Sequence, residues 1–157
     1  MEFVKEAKVY YDSSPPDLIR TAAMLWFGSM YAVKMLFLHH GINIVSHGAL
    51  EEFCAHALIQ SPIIDKAGIW DGTDNWESAE LLHTFSYGST YMPKHIFDTK
   101  KERAEQFITT FIKITPEHVE RGLDQFLVKQ NDFVVDEVEK TKIILGGKEY
   151  HYEKICY

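Results

Sequence analysis

Apolar residues recur every three or four positions along most of the chain, and this spacing predicts a mainly α protein. Between these periodic segments lie clusters of Gly, Pro, Ser, Asp and Asn, which commonly end helices and form turns. The predicted helices cover residues 2–11, 15–40, 47–59, 76–87, 99–113 and 116–130. The pattern therefore predicts one domain over residues 1–157, with a helical core at about residues 2–131.

Short polar motifs mark the predicted helix ends. Helix-starting signals are Ser14 before Pro15, Ser46, the capping box Thr99–Glu102, and Thr115 before Pro116. Gly41 is expected to end the second helix. The segment Ile63–Asn75 contains several turn-forming residues, so we expect a long loop there that serves as a lid or an insertion.

The segment Ala22–Leu38 is the most apolar part of the chain and is almost long enough to cross a membrane. Lys34, Gly28 and Ser29 interrupt it, and this favours a buried central helix over a membrane span. The first twelve residues mix charged and apolar residues and do not resemble a signal peptide. We therefore expect a soluble, cytoplasmic protein that does not associate with a membrane.

The C-terminal segment differs from the rest because its polar and apolar residues alternate. Thr141–Leu145 and the segment from Lys148 to Ile155 flank Gly146-Gly147, which predicts a small β-hairpin at about residues 141–155. A lone hairpin is only marginally stable, so it must pack on the bundle or on a second subunit. We expect a homodimer, in which the tyrosines at 150, 152 and 157 form a protein interface rather than stack on bases.

Charge and cysteine content exclude some classes of protein. The 157 residues carry a formal net charge of -7, which disfavours a protein that binds nucleic acid mainly by covering phosphates. Cys54 and Cys156 are far apart and form no metal-binding motif, so neither a disulfide framework nor a structural zinc site is expected. A reducing, intracellular environment fits this cysteine usage.

The candidate site is a helix face formed by Trp76, Glu80, His83 and Tyr87, which recur at helical spacing. His47 begins the helix that we expect to lie alongside, and it completes the predicted polar pocket. A carboxylate beside an imidazole can raise the imidazole pKa and produce a general base, so Glu80, His83 and His47 are the catalytic candidates. The alternative is that these groups only hold helices in register.

A metal site receives less support from the sequence. Glu80 and His83 have the Glu-x-x-His spacing of di-iron bundles, but such sites need a second element of this kind and further glutamates. The pairs Glu52/His56 and His47/Glu51 have compatible spacing without completing that set. We therefore predict no metal and no cofactor. Lys34 either extends to the helix end or pairs with an anion such as Glu80, and it is included as a ligand-binding candidate.

Four segments resemble one protein family, and together they extend over roughly residues 2–113. They are Phe3–Ala7, Ala23–Lys34, Gly41–His47 and Trp76–Tyr87. In these segments the chain resembles the archaeal PaREP-type proteins of the HEPN-like group. The resemblance implies an antiparallel bundle of four or five helices, often dimerised through its long helices. The group includes RNA-cleaving toxins, non-catalytic relatives and nucleotide-associated modules.

The ribonuclease signature of that group, an Arg followed by His after four to six residues, is absent from the sequence. After Arg20, Arg103 and Arg121 that window contains only apolar residues or threonine. The first hypothesis is therefore a non-catalytic HEPN-like binding module for a nucleotide, an RNA segment or a partner protein. The second is an enzyme, either a ribonuclease or a metal-dependent hydrolase, that uses Glu80, His83 and His47.

Overall fold

The computed structural model describes residues 1–88, 90–128, 140–145 and 148–154. The elements in these residues are α1 (Glu2–Tyr11), α2 (Leu18–Leu38), β1 (Ile42–Ile44), α3 (His47–Gln60), α4 (Lys66–Ser86), α5 (Lys94–Phe111), α6 (Pro116–Val128), β2 (Lys140–Leu145) and β3 (Lys148–Lys154). The protein is thus mainly helical, as the spacing of its apolar residues predicts. The predicted turn at Gly146-Gly147 and the terminal Tyr157 lie outside the described residues.

The chain divides into two compact units. The first comprises Met1–Ala32 and Lys66–Lys113, and the second comprises Val33–Asp65 and Ile114–Tyr157. The boundary at residues 32 and 33 falls within α2, so this helix contributes residues to both units.

Helices α4 and α5 pack antiparallel in the first unit. Phe85, near the end of α4, lies 5.4 Å from Phe97, near the start of α5, measured between ring centroids. Trp76, in the middle of α4, lies 5.4 Å from Phe107, near the end of α5. Gly28 of α2 also belongs to this unit, and a side chain there would collide with Ile108 of α5. The small residue therefore allows α2 to approach α5 closely.

The second unit contains a three-stranded antiparallel sheet with the strand order β1-β3-β2. The predicted hairpin is confirmed, because β2 pairs with β3 and Leu145 lies opposite Lys148. The strand β1 was not predicted; it pairs with β3 and buries Ile42 and Ile44 on one side. Gly48 of α3 lies against the ring of Tyr150, where a Cβ would overlap that ring. The hairpin thus packs on α3 of its own chain and does not need a second subunit to cover it, while the homodimer stays a prediction.

Aromatic rings form the helical core of the second unit. Phe53 of α3 lies 4.7 Å from Phe37 of α2 and 5.1 Å from Phe126 of α6, and both contacts are edge-to-face. This geometry is favoured for aromatic pairs and adds to the stabilisation from apolar burial. Three helices of this unit are therefore joined through one buried ring.

Several predicted helix starts are confirmed. Helix α3 begins at His47, and the hydroxyl of Ser46 accepts a hydrogen bond from the backbone N–H of Ala49 at 3.2 Å. Helix α6 begins at Pro116, whose missing N–H is tolerated in the first helical turn. Local chemistry is sufficient to set these boundaries because the capping group lies next to the helix that it starts.

Two predicted helix starts are wrong. Helix α2 begins at Leu18 rather than at Pro15, and Asp17 caps it by accepting a hydrogen bond from the backbone N–H of Arg20 at 3.0 Å. Helix α5 begins at Lys94, so Thr99 lies inside the helix and its hydroxyl donates to a backbone carbonyl. The burial of Phe97 in the core explains why α5 extends to this earlier start.

The predicted loop at residues 63–75 is also wrong, because α4 begins at Lys66 and continues without a break to Ser86. Gly72 and Asn75 are buried on the inner side of the helix, so packing offsets their low helix propensity. The hydroxyl of Thr73 donates to the carbonyl of Ile69 at 3.0 Å, which satisfies this side chain within the helix. There is consequently neither a lid nor an insertion in this segment.

The sequence suggests that the long apolar helix α2 is buried on all sides. The structure shows that one side of it is exposed. Phe27, Tyr31 and Met35 are exposed and follow one another at four-residue spacing. Among the described residues, α2 is the one helix long and apolar enough to cross a membrane, and 56% of its most apolar window is buried in the protein. A core helix of a soluble protein also has these properties, so they are compatible with a soluble fold.

Candidate functional site

His83 and Tyr87 form a polar pair at the end of α4. The hydroxyl of Tyr87 lies 3.0 Å from Nε2 of His83, which is hydrogen-bonding distance, and the two rings are 4.7 Å apart. The opposite contact of His83 is with Trp26 of α2, whose ring is nearly parallel to the imidazole at 4.4 Å. His83 is half-buried, whereas the side chain of Tyr87 is 71% exposed. Two of the predicted site residues are thus brought together.

This arrangement restricts the chemistry that His83 can perform. The Tyr87 hydroxyl donates to Nε2 or accepts from it, according to which ring nitrogen carries the proton, and in either case Nε2 is engaged. A general base must have its free nitrogen within reach of a substrate proton, and here Nε2 already contacts the phenol. The geometry therefore favours a role in binding or in positioning Tyr87 over a role in proton abstraction.

Trp76 lies in the core of the first unit. Its side chain is only 2% exposed, and its ring is tilted against Trp26 at 5.5 Å and against Phe107 at 5.4 Å. The indole Nε1 has no hydrogen-bond partner within the described structure. A buried donor without a partner costs free energy, so Trp76 supports Trp26 mainly through apolar contact. Trp26, the residue that holds His83, was not predicted as a site residue.

The remaining predicted site residues lie in different places. Glu80 is half-buried on α4, one turn before His83 and Thr84, and its backbone carbonyl accepts a hydrogen bond from the Thr84 hydroxyl at 3.2 Å. His47 is exposed at the first position of α3, and Lys34 is half-buried on α2. Both His47 and Lys34 belong to the second unit. Their participation in a pocket with His83 remains a prediction.

The metal-ligand spacings found in the sequence do not produce a cluster of ligands in the described ranges, where no group of three or more His, Cys, Asp or Glu side chains is placed to hold a metal ion. His56 is instead a core residue of the second unit, with its ring 4.4 Å from Phe126 and Nε2 without a partner. Burial lowers the pKa of His56, and a hydrogen bond with the backbone of Val119 opposes this effect. Burial also raises the pKa of the Glu52 carboxyl.

Five of the nine Lys and Arg side chains of the first unit pair with acids close to them in sequence. Five such ion pairs join Lys5 to Glu2, Lys8 to Asp12, Arg20 to Asp17, Lys94 to Asp98, and Lys101 to Glu105. The Lys94 ammonium lowers the pKa of the Asp98 carboxyl, and a hydrogen bond from Tyr11 acts in the same direction. These contacts neutralise part of the positive charge that a phosphate group would need.

A second surface of α4 was missed because its first half was interpreted as a loop. Trp70, Asp74, Glu77 and Leu81 occur at helical spacing and are all exposed, and they form what we call the outer face of α4. Trp70 is 73% exposed and Leu81 is 48% exposed. Neither carboxylate of the outer face has an ion-pair partner in the part of the chain that the structure describes, and the same holds for the adjacent Asp71.

Comparisons of the chain with protein-family models, with curated proteins and with solved structures find no match.

Proposed function

We propose that this chain is a non-catalytic, HEPN-like binding module that recognises a partner protein through α4 and the loop that follows it. One observation carries the proposal: three large aromatic side chains, Trp70, Tyr87 and Tyr91, are each more than two-thirds exposed in this segment. Tyr91 is the most exposed of them, at 88%. Tyr and Trp are enriched at protein interfaces and often contribute most of the binding energy.

The charges of the first unit support a protein ligand over RNA or a nucleotide. Exposed tyrosines can stack on bases, but the phosphates between bases need basic side chains nearby. Lys94 is the closest lysine in sequence to Tyr91, and it already contacts Asp98 and Tyr11. The net charge of -7 also favours a protein ligand over RNA or a nucleotide.

The mainly helical fold supports the HEPN-like part of the proposal, because a helical bundle is what the family resemblance implies. The engagement of His83 by Tyr87 supports a non-catalytic role, since the imidazole nitrogen that faces Tyr87 is occupied. We place the module in the cytoplasm, where a chain without a disulfide framework would be stable. A homodimer stays a prediction, which light scattering on the intact chain can test.

Site-specific photo-cross-linking tests the proposal. A benzophenone amino acid is placed at Tyr87 or Tyr91 and, as a control, at Val9, which is 68% exposed on α1. In extract of the source cells we expect a discrete protein adduct from positions 87 and 91 and none from position 9. The adduct protein is then purified, and its binding to the intact chain is measured by calorimetry.

Three results would contradict the proposed function. Adducts that contain only RNA would replace a protein partner with a nucleic acid, and the absence of any adduct would remove the claim that α4 is an interface. Cleavage of RNA by the purified chain, lost in the His83→Ala variant, would establish the enzyme hypothesis instead.

A further inference from the structure

We infer that the outer face of α4 is a docking surface for a basic amphipathic helix of a partner protein. The inference rests on the proposed function, because it assumes that α4 is an interface, and it adds the location of the contact and the chemistry of the partner. The outer face of α4 consists of Trp70, Asp74, Glu77 and Leu81, with Asp71 at its border.

The order of these residues along the helix defines the shape of the partner. Trp70 and Leu81 are apolar residues eleven positions apart, and Asp74 and Glu77 lie between them. At a rise of about 1.5 Å per residue, the apolar residues are separated by about 16 Å along the helix axis. A metal ion cannot reach both ends, and a polyamine has no side chain to pack on Trp70 or Leu81. A partner helix of about three turns can contact both apolar residues and both acids.

Charge complementarity defines the sign of the charge that the partner carries. The acids of the outer face have no ion-pair partner in the described structure, whereas five bases of the same unit are already paired. Lys66 carries the nearest positive charge on α4 itself, one turn before Trp70. The ammonium of Lys100 of α5 lies 3.4 Å from the hydroxyl of Ser78, which is a buried residue beside the outer face, and leaves Asp74 and Glu77 without an ion pair in the described structure. An acidic peptide, a phosphate backbone or an anionic lipid surface would be repelled. A lysine or an arginine is attracted to Asp74 and Glu77, and an arginine can also stack on the exposed ring of Trp70.

A second copy of the same chain is a poor occupant for this face. In a twofold dimer the same surface meets itself, so Asp74 and Glu77 would lie opposite the identical acids of the partner. Like charges placed opposite each other at an interface disfavour the complex. The outer face therefore selects a different protein whose helix presents apolar residues at both ends and basic residues between them.

A designed helical peptide tests the inference with the intact chain. It has leucines eleven residues apart and arginines four and seven residues after the first leucine, with alanine and glutamine elsewhere. This spacing is the same when it is read in either direction, so the peptide fits a parallel or an antiparallel arrangement. A control peptide of the same composition has both arginines moved by two positions, which turns them away from the leucines. Binding is measured by fluorescence anisotropy.

We expect the matched peptide to bind the wild-type chain at least about tenfold more tightly than the control peptide, because only it satisfies charge and apolar contacts together. The double variant Asp74→Lys/Glu77→Lys should lose about tenfold in affinity for the matched peptide and gain affinity for a version with glutamates in place of the arginines. Glu6→Lys/Glu102→Lys is the matched control, since both glutamates are exposed in the first unit and the net charge changes equally.

Equal binding of the two peptides would overturn the inference, because attraction would then depend on overall charge alone. Equal losses in the two double variants would overturn it in the same way. If the matched peptide does not bind but positions Tyr87 and Tyr91 still cross-link to a protein, this docking surface is rejected and the proposed function stands. Peptide binding that follows the predicted pattern, without any cross-linked protein from cells, would support the surface and contradict the proposed function.

Discussion

Trp70 and Trp76 lie less than two turns apart on α4 and have opposite surroundings. Trp76 is enclosed by Trp26 and Phe107, and its indole N–H has no hydrogen-bond partner in the described structure. Trp70 is largely exposed on the outer face of α4, next to acids that lack an ion pair. The same amino acid thus stabilises the fold on one side of the helix and remains available to a partner on the other.

Alanine substitution of the two tryptophans is the strongest test of this comparison. Trp76→Ala should lower the free energy of unfolding by about 3–5 kcal/mol, because it leaves a large cavity beside Trp26. Trp76→Phe should cost clearly less, since it keeps an aromatic ring and removes the unpaired N–H. Trp70→Ala should change the free energy by no more than about 0.5 kcal/mol. Urea unfolding of the three variants would contradict the comparison if Trp70→Ala cost as much as Trp76→Ala.

Leu81 and Leu82 provide a smaller, chemically matched version of the same test. Leu82 is completely buried, so Leu82→Ala should cost about 2–5 kcal/mol through lost contacts and a residual cavity. Leu81 lies on the outer face of α4, and its substitution by alanine should leave stability nearly unchanged. Thermal melting monitored by circular dichroism distinguishes the two. Similar losses of stability would mean that the outer face is covered in the native protein.

A pH titration extends the comparison to His56, a core residue of the second unit whose ring is tilted against Phe126. Burial lowers the pKa of His56 in the folded state below the ordinary value of 6.5, so the unfolded chain takes up this proton first as pH falls. Protonation of His56 therefore leaves the free energy of unfolding unchanged above pH 6.5. Below pH 6.5 it lowers that free energy, by up to about 1.4 kcal/mol per pH unit.

His56→Phe should remove that part of the pH dependence, because phenylalanine fills a similar apolar site and does not titrate. The measurement is the difference in unfolding free energy between wild type and variant, followed downward from neutral pH through the ordinary histidine value of 6.5. Glu52 lies on the same helix, and burial raises the pKa of its carboxyl, so its contribution to the free energy of unfolding increases as pH falls. This contribution is the same in the wild type and the variant and cancels in the difference. Identical pH profiles would show that His56 is hydrated or paired in solution.

Only a small loss of stability is expected of a substitution at Tyr87, just after the end of α4. Tyr87→Phe removes the hydroxyl that contacts Nε2 of His83. Because Tyr87 is largely exposed, water replaces this hydrogen bond, and the free energy of unfolding should fall by no more than about 1 kcal/mol. The histidine ring should keep its stacking on Trp26. A larger loss, measured by urea unfolding, would make the His83–Tyr87 pair a structural element rather than part of a binding surface.

The sequence was a good guide wherever the determining chemistry lies next to the element that it shapes. Ser46 caps α3, Pro116 starts α6, and the alternation around Gly146-Gly147 produces the hairpin strands. The sequence failed where packing decides, because Gly72 and Asn75 are residues that favour turns but are buried inside α4. The strand β1 has only three residues, and its pairing with distant β3 cannot be inferred from local periodicity.

The candidate site shows the same division between local and long-range information. Helical spacing placed His83 and Tyr87 on one face of a helix, and these two side chains are in contact. The stacking of His83 on Trp26 joins residues 57 positions apart in sequence, which no motif encodes. The outer face of α4 escapes prediction for a related reason, since the turn-forming residues before Trp76 indicate a loop, in which Trp70 and Asp74 have no helical register with Glu77 and Leu81.

An NMR titration tests most directly whether the outer face of α4 binds a partner helix. The matched leucine–arginine peptide is added to the isotope-labelled intact chain, and backbone amide shifts are followed for every assigned residue. We predict that the largest changes occur between Trp70 and Leu81, with little change at buried residues in the middle of α3 such as Phe53 and Ala57. Shifts centred elsewhere, or spread evenly over all acidic surfaces, would contradict the assignment of this face as the binding surface.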